Sequence, residues 1–159
     1  MRVLISDANV IIDMEDCGLT QVMFSLPYQF SVPDILYFDE LEDGHPNLLD
    51  QGLNILELSQ NTLVHSMDLN RRYKQPGRYD CLALAAALQE ACTLLTGDKS
   101  LRNAARKEKV EVKGTIWLVE EMFNHRLIDK QQVITAFDDM KEAGSRLPWN
   151  EVSKLLKRI

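Results

Sequence analysis

The sequence predicts an α/β fold: a three-layer α/β/α sandwich on a parallel sheet, followed by C-terminal helices. Three observations predict it. Five short, apolar, β-rich stretches alternate with helix-forming segments between residue 2 and residue 112, the signature of a sheet covered on both faces. One intervening segment, "YDCLALAAALQEA", is dense in strong helix formers. Beyond residue 114 the pattern is helical only.

The first strand is "RVLIS" (2–6), and "NVIIDMEDC" follows it as a helix. The second strand is "FSV" (30–32). The helix "PDILYFDELE" comes next, with Pro33 at a first helical position. "TLVHS" (62–66) reads as the third strand because it is rich in β-branched residues. The alanine-rich helix then leads into a fourth strand, "CTLLT" (92–96), the helix "SLRNAARKE", and a fifth strand, "VEV" (110–112). "TIWLVEEMFNHRLI" and "DKQQVITAFDDMKEAG" are amphipathic helices, the second closed by Gly144. Pro148 opens a last helix with Trp149, Val152, Leu155, Leu156 and Ile159 on one face. That stripe either caps the domain's own core or meets a partner. The expected organisation is a single domain over 1–159, with a core at 1–118 and a helical extension at 119–159.

The chain has 159 residues, 45% hydrophobic and 26% charged, with a net charge of −6. That composition is ordinary for a globular protein. No apolar run approaches the roughly 20 residues of a membrane helix. Asp7 falls too early for a signal-peptide core, so a cytoplasmic protein is expected. Cys17, Cys81 and Cys92 are odd in number and lack C-x-x-C spacing, which argues for free thiols. His45, His65 and His125 are scattered without metal-ligand spacing. The acidic balance argues against a generic nucleic-acid binder, although a local basic rim can coexist with it.

In open parallel sheets, ligands bind outside the carboxyl ends of the strands. Asp7 and Asp98 directly follow strands, Glu40 lies on the helix after the second strand, and Asp80 opens the alanine-rich helix. Each has a purely structural explanation. Asp7, Asp80 and Asp98 suit helix N-termini, and Glu40 suits a solvated face beside Asp39, Glu42 and Asp43. Together they fall at one expected edge of one sheet. Converging carboxylates repel unless a cation enters. Hard divalent ions such as Mg²⁺ and Mn²⁺ take such oxygen ligands and support in-line phosphodiester hydrolysis.

Four segments resemble, in order, the motifs of the PIN-domain nuclease family: "VLISDANVII", "VPDILYFDEL", "YDCLALAAAL" and "LLTGDKSLRNAA". The resemblance covers about residues 2–118. It implies a four- or five-stranded parallel sheet and Mg²⁺- or Mn²⁺-dependent cleavage of RNA. It places Asp7, Glu40, Asp80 and Asp98 at the catalytic and metal-holding positions, with Asn9 and Thr96 supporting them. Among Asp39, Glu40 and Glu42, the Glu40–Leu41 pair matches the second motif best. The tail is similar to a toxin-like subgroup with extra C-terminal helices, many of whose members neighbour a small antitoxin gene. That similarity implies a toxin–antitoxin pair with an antitoxin protein as partner, and the resemblance to PIN relatives, which often form dimers, implies a homodimer. The alternative is a catalytically inactive PIN-like module that binds RNA or protein. Two basic groups flank the acids in sequence: Arg71, Arg72, Lys74 and Arg78 with Tyr73 before Asp80, and Lys99 and Arg102 after Asp98. They are candidates for holding an RNA backbone, with Tyr73 for base stacking.

Overall fold

A computed structural model describes all 159 residues. Five strands, β1 (Arg2–Ser6), β2 (Tyr28–Pro33), β3 (Asn54–Leu56), β4 (Thr93–Leu95) and β5 (Val112–Lys113), form one sheet in the order β3-β2-β1-β4-β5. All neighbours pair in parallel. The helices are α1 (Ala8–Asp16), α2 (Thr20–Ser25), α3 (Asp34–Leu36), α4 (Leu48–Gln51), α5 (Gln60–Arg72), α6 (Arg78–Glu90), α7 (Lys99–Lys107), α8 (Thr115–Asn124), α9 (Lys130–Glu142) and α10 (Trp149–Arg158). A π-helical turn, Tyr37–Leu41, continues α3. No helix is long and apolar enough to cross a membrane.

Central β1 registers Leu4 against Phe30 on one side and Thr93 on the other. Leu4, Ile5, Phe30, Val32, Leu94 and Leu95 are all buried, as strands covered on both faces require. Residues Cys81–Ala87 of α6 are buried without a break. Such a helix is enclosed on every side, and its alanines let it lie close against β1 and β2.

The expected strand at 62–66 is instead part of α5. Ser59 caps that helix, its hydroxyl accepting from the Thr62 N–H at 3.1 Å. Thr62, Ser66 and Leu69 are buried, and their spacing is that of one helical face. The β-branched residues suggested a strand, but propensity is weak beside a cap and a buried stripe. The third strand is the short edge strand β3, which pairs only with β2. Pro33 ends β2, opposite Leu56, and stands at the cap of the helical segment that begins at Asp34, one position before the first helical place expected of it.

The C-terminal helices pack onto the sheet domain. Leu118, Val119, Met122, Val133, Phe137, Met140, Val152 and Leu155 join the same continuous core cluster. The stripe on α10 is therefore spent inside the molecule, with Trp149, Leu156 and Ile159 packed partly buried against that core. All three cysteines are free.

Candidate active site at the carboxyl edge of the sheet

Strand order makes the site. The chain leaves β1 toward β2 on one side and leaves β4 toward β5 on the other. The carboxyl ends of β1 and β4 therefore flank a switch point, where open parallel sheets carry their ligand crevice. Asp7 and Asp98 follow those two ends. The Asp7 N–H donates to the Leu95 carbonyl at 3.0 Å, tying the ends together.

Asp7 is 3% exposed. Its Oδ1 accepts from the Val10 N–H at 2.9 Å and so caps α1. Its Oδ2 accepts from the Thr96 hydroxyl at 2.5 Å. Thr96 Oγ1 in turn accepts from the Asp98 N–H at 3.0 Å. One buried hydroxyl thus links two acids from distant parts of the chain. Asp98 caps α7: its Oδ1 accepts from the Leu101 N–H at 2.8 Å and the Ser100 hydroxyl at 2.6 Å. Asp80 Oδ2 accepts from the Gly77 N–H at 3.2 Å. The capping and chemical explanations are therefore compatible. Each cap occupies one oxygen, and Asp80 Oδ1, Asp98 Oδ2 and both oxygens of Glu40 have no protein hydrogen bond.

The charges of these acids are coupled through Asp80. Burial pushes Asp7 up to about 6, against the pull of the Thr96 and Val10 hydrogen bonds, and the charges of Asp80 and Asp13 add to the rise. Burial also raises Asp80, opposed by the Gly77 N–H, and the charge of Asp98 raises it further. Partial burial, then Asp80 and Asp39, raise Glu40. The Ser100 hydroxyl chiefly holds Asp98 below the ordinary carboxylate range, with the amides of Leu101 and Ser100 assisting. None of the chain's ion pairs includes any of the four.

Glu40 comes from the π-helical turn. The Glu42 N–H donates to the Tyr37 carbonyl at 2.8 Å, five residues back. The widened turn keeps Leu36, Tyr37 and Leu41 buried and leaves Phe38, Asp39 and Glu40 outside. Asp39 accepts from the Tyr79 hydroxyl at 2.8 Å, which leaves Glu40 as the acid of that turn coupled to Asp80.

The donor set suits a hard cation: all oxygen, electrostatically coupled and without a protein counter-charge. No group of three or more His, Cys, Asp or Glu side chains is gathered closely enough to hold an ion by itself. A Mg²⁺-like ion needs no such cage, since it commonly keeps several waters and takes only one or two carboxylates directly.

The expected strand-binding residues are dispersed. Lys99 and Asn9 line a cleft that also contains Asp98. Arg71 and Arg78 line a separate groove with Ile35, Met67 and Leu82. Arg72 is bound to Asp68 and Glu108. The Tyr73 hydroxyl is bound to Glu108, and its half-buried ring lies between Arg72 and Lys107. Lys74 is exposed and unpaired. Arg102 is half-buried, and its Nε has no partner.

Asp13 is a feature that sequence reasoning missed. Its oxygens accept from the Thr115 hydroxyl and the Ser145 hydroxyl, each at 2.9 Å. It fastens two C-terminal segments to α1. The available signal was its i+4 spacing from Asn9, which puts both on one face of that helix.

A family model described as PIN domain matches residues 3–159. Among solved structures, a PilT N-terminus domain protein from the hyperthermophilic archaeon Sulfolobus solfataricus P2 is similar at 18% identity and a TM-score of 0.52, over 77% of this chain and 93% of that one. VapBC2 from Rickettsia felis, bound to a DNA fragment from their promoter, is similar at 15% identity and a TM-score of 0.48, over 70% of this chain and 98% of that one. No curated protein matches.

Proposed function

The chain belongs to the PIN-domain family, and from that premise we propose that it is a Mg²⁺- or Mn²⁺-dependent ribonuclease acting as the toxin of a toxin–antitoxin pair. The observation that carries the nuclease reading is that Thr96 joins Asp7 and Asp98 at the switch point, with Asp80 and Glu40 electrostatically coupled to this pair and none of the four in an ion pair.

Asp7, Asp80, Asp98 and Glu40 would hold the ion, directly or through its waters. When bound, it supplies an activated water and neutralises charge on the departing oxygen of an in-line displacement. The chain's own residues do the rest. Thr96 fixes the rotamer of Asp7 and the backbone of Asp98 in one hydrogen-bonded unit. The same buried unit, closed by the Val10 N–H on the other oxygen of Asp7, keeps that carboxylate from rotating away from the cleft. The caps on α1 and α7 place both carboxylates on rigid helix starts, which reduces the reorganisation needed on binding.

The antitoxin is proposed on the resemblance of the tail alone, and a homodimer on the resemblance to PIN-domain relatives. Incubating the purified protein with an end-labelled unstructured RNA tests the nuclease reading. Cleavage is expected with Mn²⁺ or Mg²⁺, and none with chelator. Asp7→Asn and Asp98→Asn should abolish it. Equal cutting by either variant overturns the assignment of its residue. No cutting by the parent, with no Mn²⁺ heat in calorimetry, favours an inactive binding module. Growth arrest on expression, relieved by the product of an adjacent small gene, tests the toxin role.

A further inference from the structure

The cleft beside Asp98 has a wall that the acidic motifs do not supply. It encloses about 560 Å³. Asn9 comes from the first turn of α1, just after β1, Asp98 and Lys99 from the start of α7, just after β4, and Ser145 and Arg146 from the connection between α9 and α10. The first two turns flank the switch point. The third lies 132 residues beyond Asp13 and reaches the cleft because Asp13 holds it. Its Ser145 hydroxyl donates to Asp13 Oδ1 at 2.9 Å, and its Ser145 N–H donates to the Met140 carbonyl at 2.9 Å.

Lys99 and Arg146 are the cations of this cleft. Both are exposed, and neither forms an ion pair in a protein of net charge −6. Arg146 forms no ion pair with Asp13, whose oxygens accept from the Thr115 and Ser145 hydroxyls. A polyanion approaching four carboxylates is repelled, and fixed cations beside them lower that barrier. We propose that the Ser145–Leu147 connection is one wall of the substrate cleft, and that Arg146 and Lys99 hold a phosphate of single-stranded RNA adjacent to the scissile one. This rests on the nuclease reading and adds to it a strand path through the C-terminal extension.

Binding without metal and turnover with metal test it separately. In chelator, a fluorescein-labelled 12-nucleotide RNA of mixed sequence is titrated with Asp7→Asn protein and followed by anisotropy. Adding Arg146→Ala or Lys99→Ala should weaken binding about three- to tenfold and flatten the salt dependence by about 0.7 per contact. Arg146→Lys should restore most of the loss. Ser145→Ala, which frees the wall but keeps its charge, should weaken binding less. In the Asp7-containing enzyme with Mn²⁺, Arg146→Ala should raise KM and leave kcat within about twofold. Thermal melting confirms that each variant is folded.

If the parent cuts RNA and Arg146→Ala changes neither KM nor the salt slope, the cleft assignment is wrong and the nuclease reading stands. If the parent cuts nothing but the metal-free losses appear, the nuclease reading fails and the strand-binding role of the cleft stands. Equal losses on a DNA of the same sequence overturn the choice of RNA.

Discussion

The two edges of the sheet treat charge in opposite ways. At the amino edge, Arg2 donates to the Thr93 hydroxyl at 2.6 Å and to Glu111 at 2.9 Å, and Thr93 donates to Glu111 at 2.9 Å. The Thr93 hydroxyl, with Arg2 behind it, holds Glu111 below the ordinary carboxylate range. There Arg2, Thr93 and Glu111 form a closed circuit of hydrogen bonds. At the carboxyl edge, Asp7, Asp80 and Glu40 are all raised and no guanidinium or ammonium pairs with them. The same strands begin in balance and end in surplus negative charge. An unbalanced buried carboxylate is costly, so the imbalance marks the edge that needs a partner from outside.

The sharpest way to break this comparison is Asp7→Asn. Cleavage should fall by on the order of 10²–10³-fold or more, as for other charge-stabilising groups at a reacting centre. Stability should move the other way. A folded carboxyl near pH 6 against an unfolded value near 3.8 means that the native state binds more protons between those values. Stability of the parent therefore falls as pH rises through that window and stays low above it. The cost at neutral pH is roughly 3 kcal/mol. The variant should melt higher than the parent at pH 7.5, with the gap closing toward pH 4; a variant that melts lower at both would refute the imbalance.

The next largest effect is the response to metal. Mn²⁺ at about a hundred times its Kd should stabilise the parent by about 2.7 kcal/mol, read as a rise in Tm over a chelated control. The rise should shrink in Asp80→Asn, since Asp80 couples the other three acids.

The amino edge should show smaller changes. Ala91, just past α6, adopts φ 49°, a left-handed conformation that favours glycine. Ala91→Gly should stabilise by about 0.5–1 kcal/mol in denaturant unfolding, the relief of the left-handed conformation less the added entropy of the unfolded chain. Smallest is Glu111→Gln. Its pair with Arg2 is 57% and 50% exposed, and solvent screening leaves it worth at most about 0.5 kcal/mol. Its RNA cleavage should equal that of the parent; a large loss would mean that the two edges are not independent.

Much of the fold was legible because local rules and tertiary structure agreed. β1, β2 and β4 are apolar runs ended by turns, and the acids after them sit at strand ends or first helical turns, where sequence position nearly fixes spatial position. β3 was not legible: it is three residues long, begins with an asparagine and lies at the sheet's edge. The stretch at 62–66 looked more like a strand than β3 does, and only the Ser59 cap and the 62-66-69 spacing argued otherwise. Arg146 escaped notice because its setting is created by docking of the C-terminal helices, which no local pattern encodes, and Asp13 offered only its spacing from Asn9. Tyr73 looked free in sequence, yet Glu108, 35 residues on, occupies its hydroxyl.

The wide turn at Tyr37–Leu41 makes helix length a functional variable. Deleting one residue there would restore ordinary α-helical pitch and rotate one side of the segment by about 100° relative to the other. Leu41 could stay in the core or Glu40 could keep its aim, but the shortened segment could not serve both. Counting residues between Pro33 and Leu41 in a homologous chain would therefore tell whether its second acid can join the other three, whatever letters fill the gap.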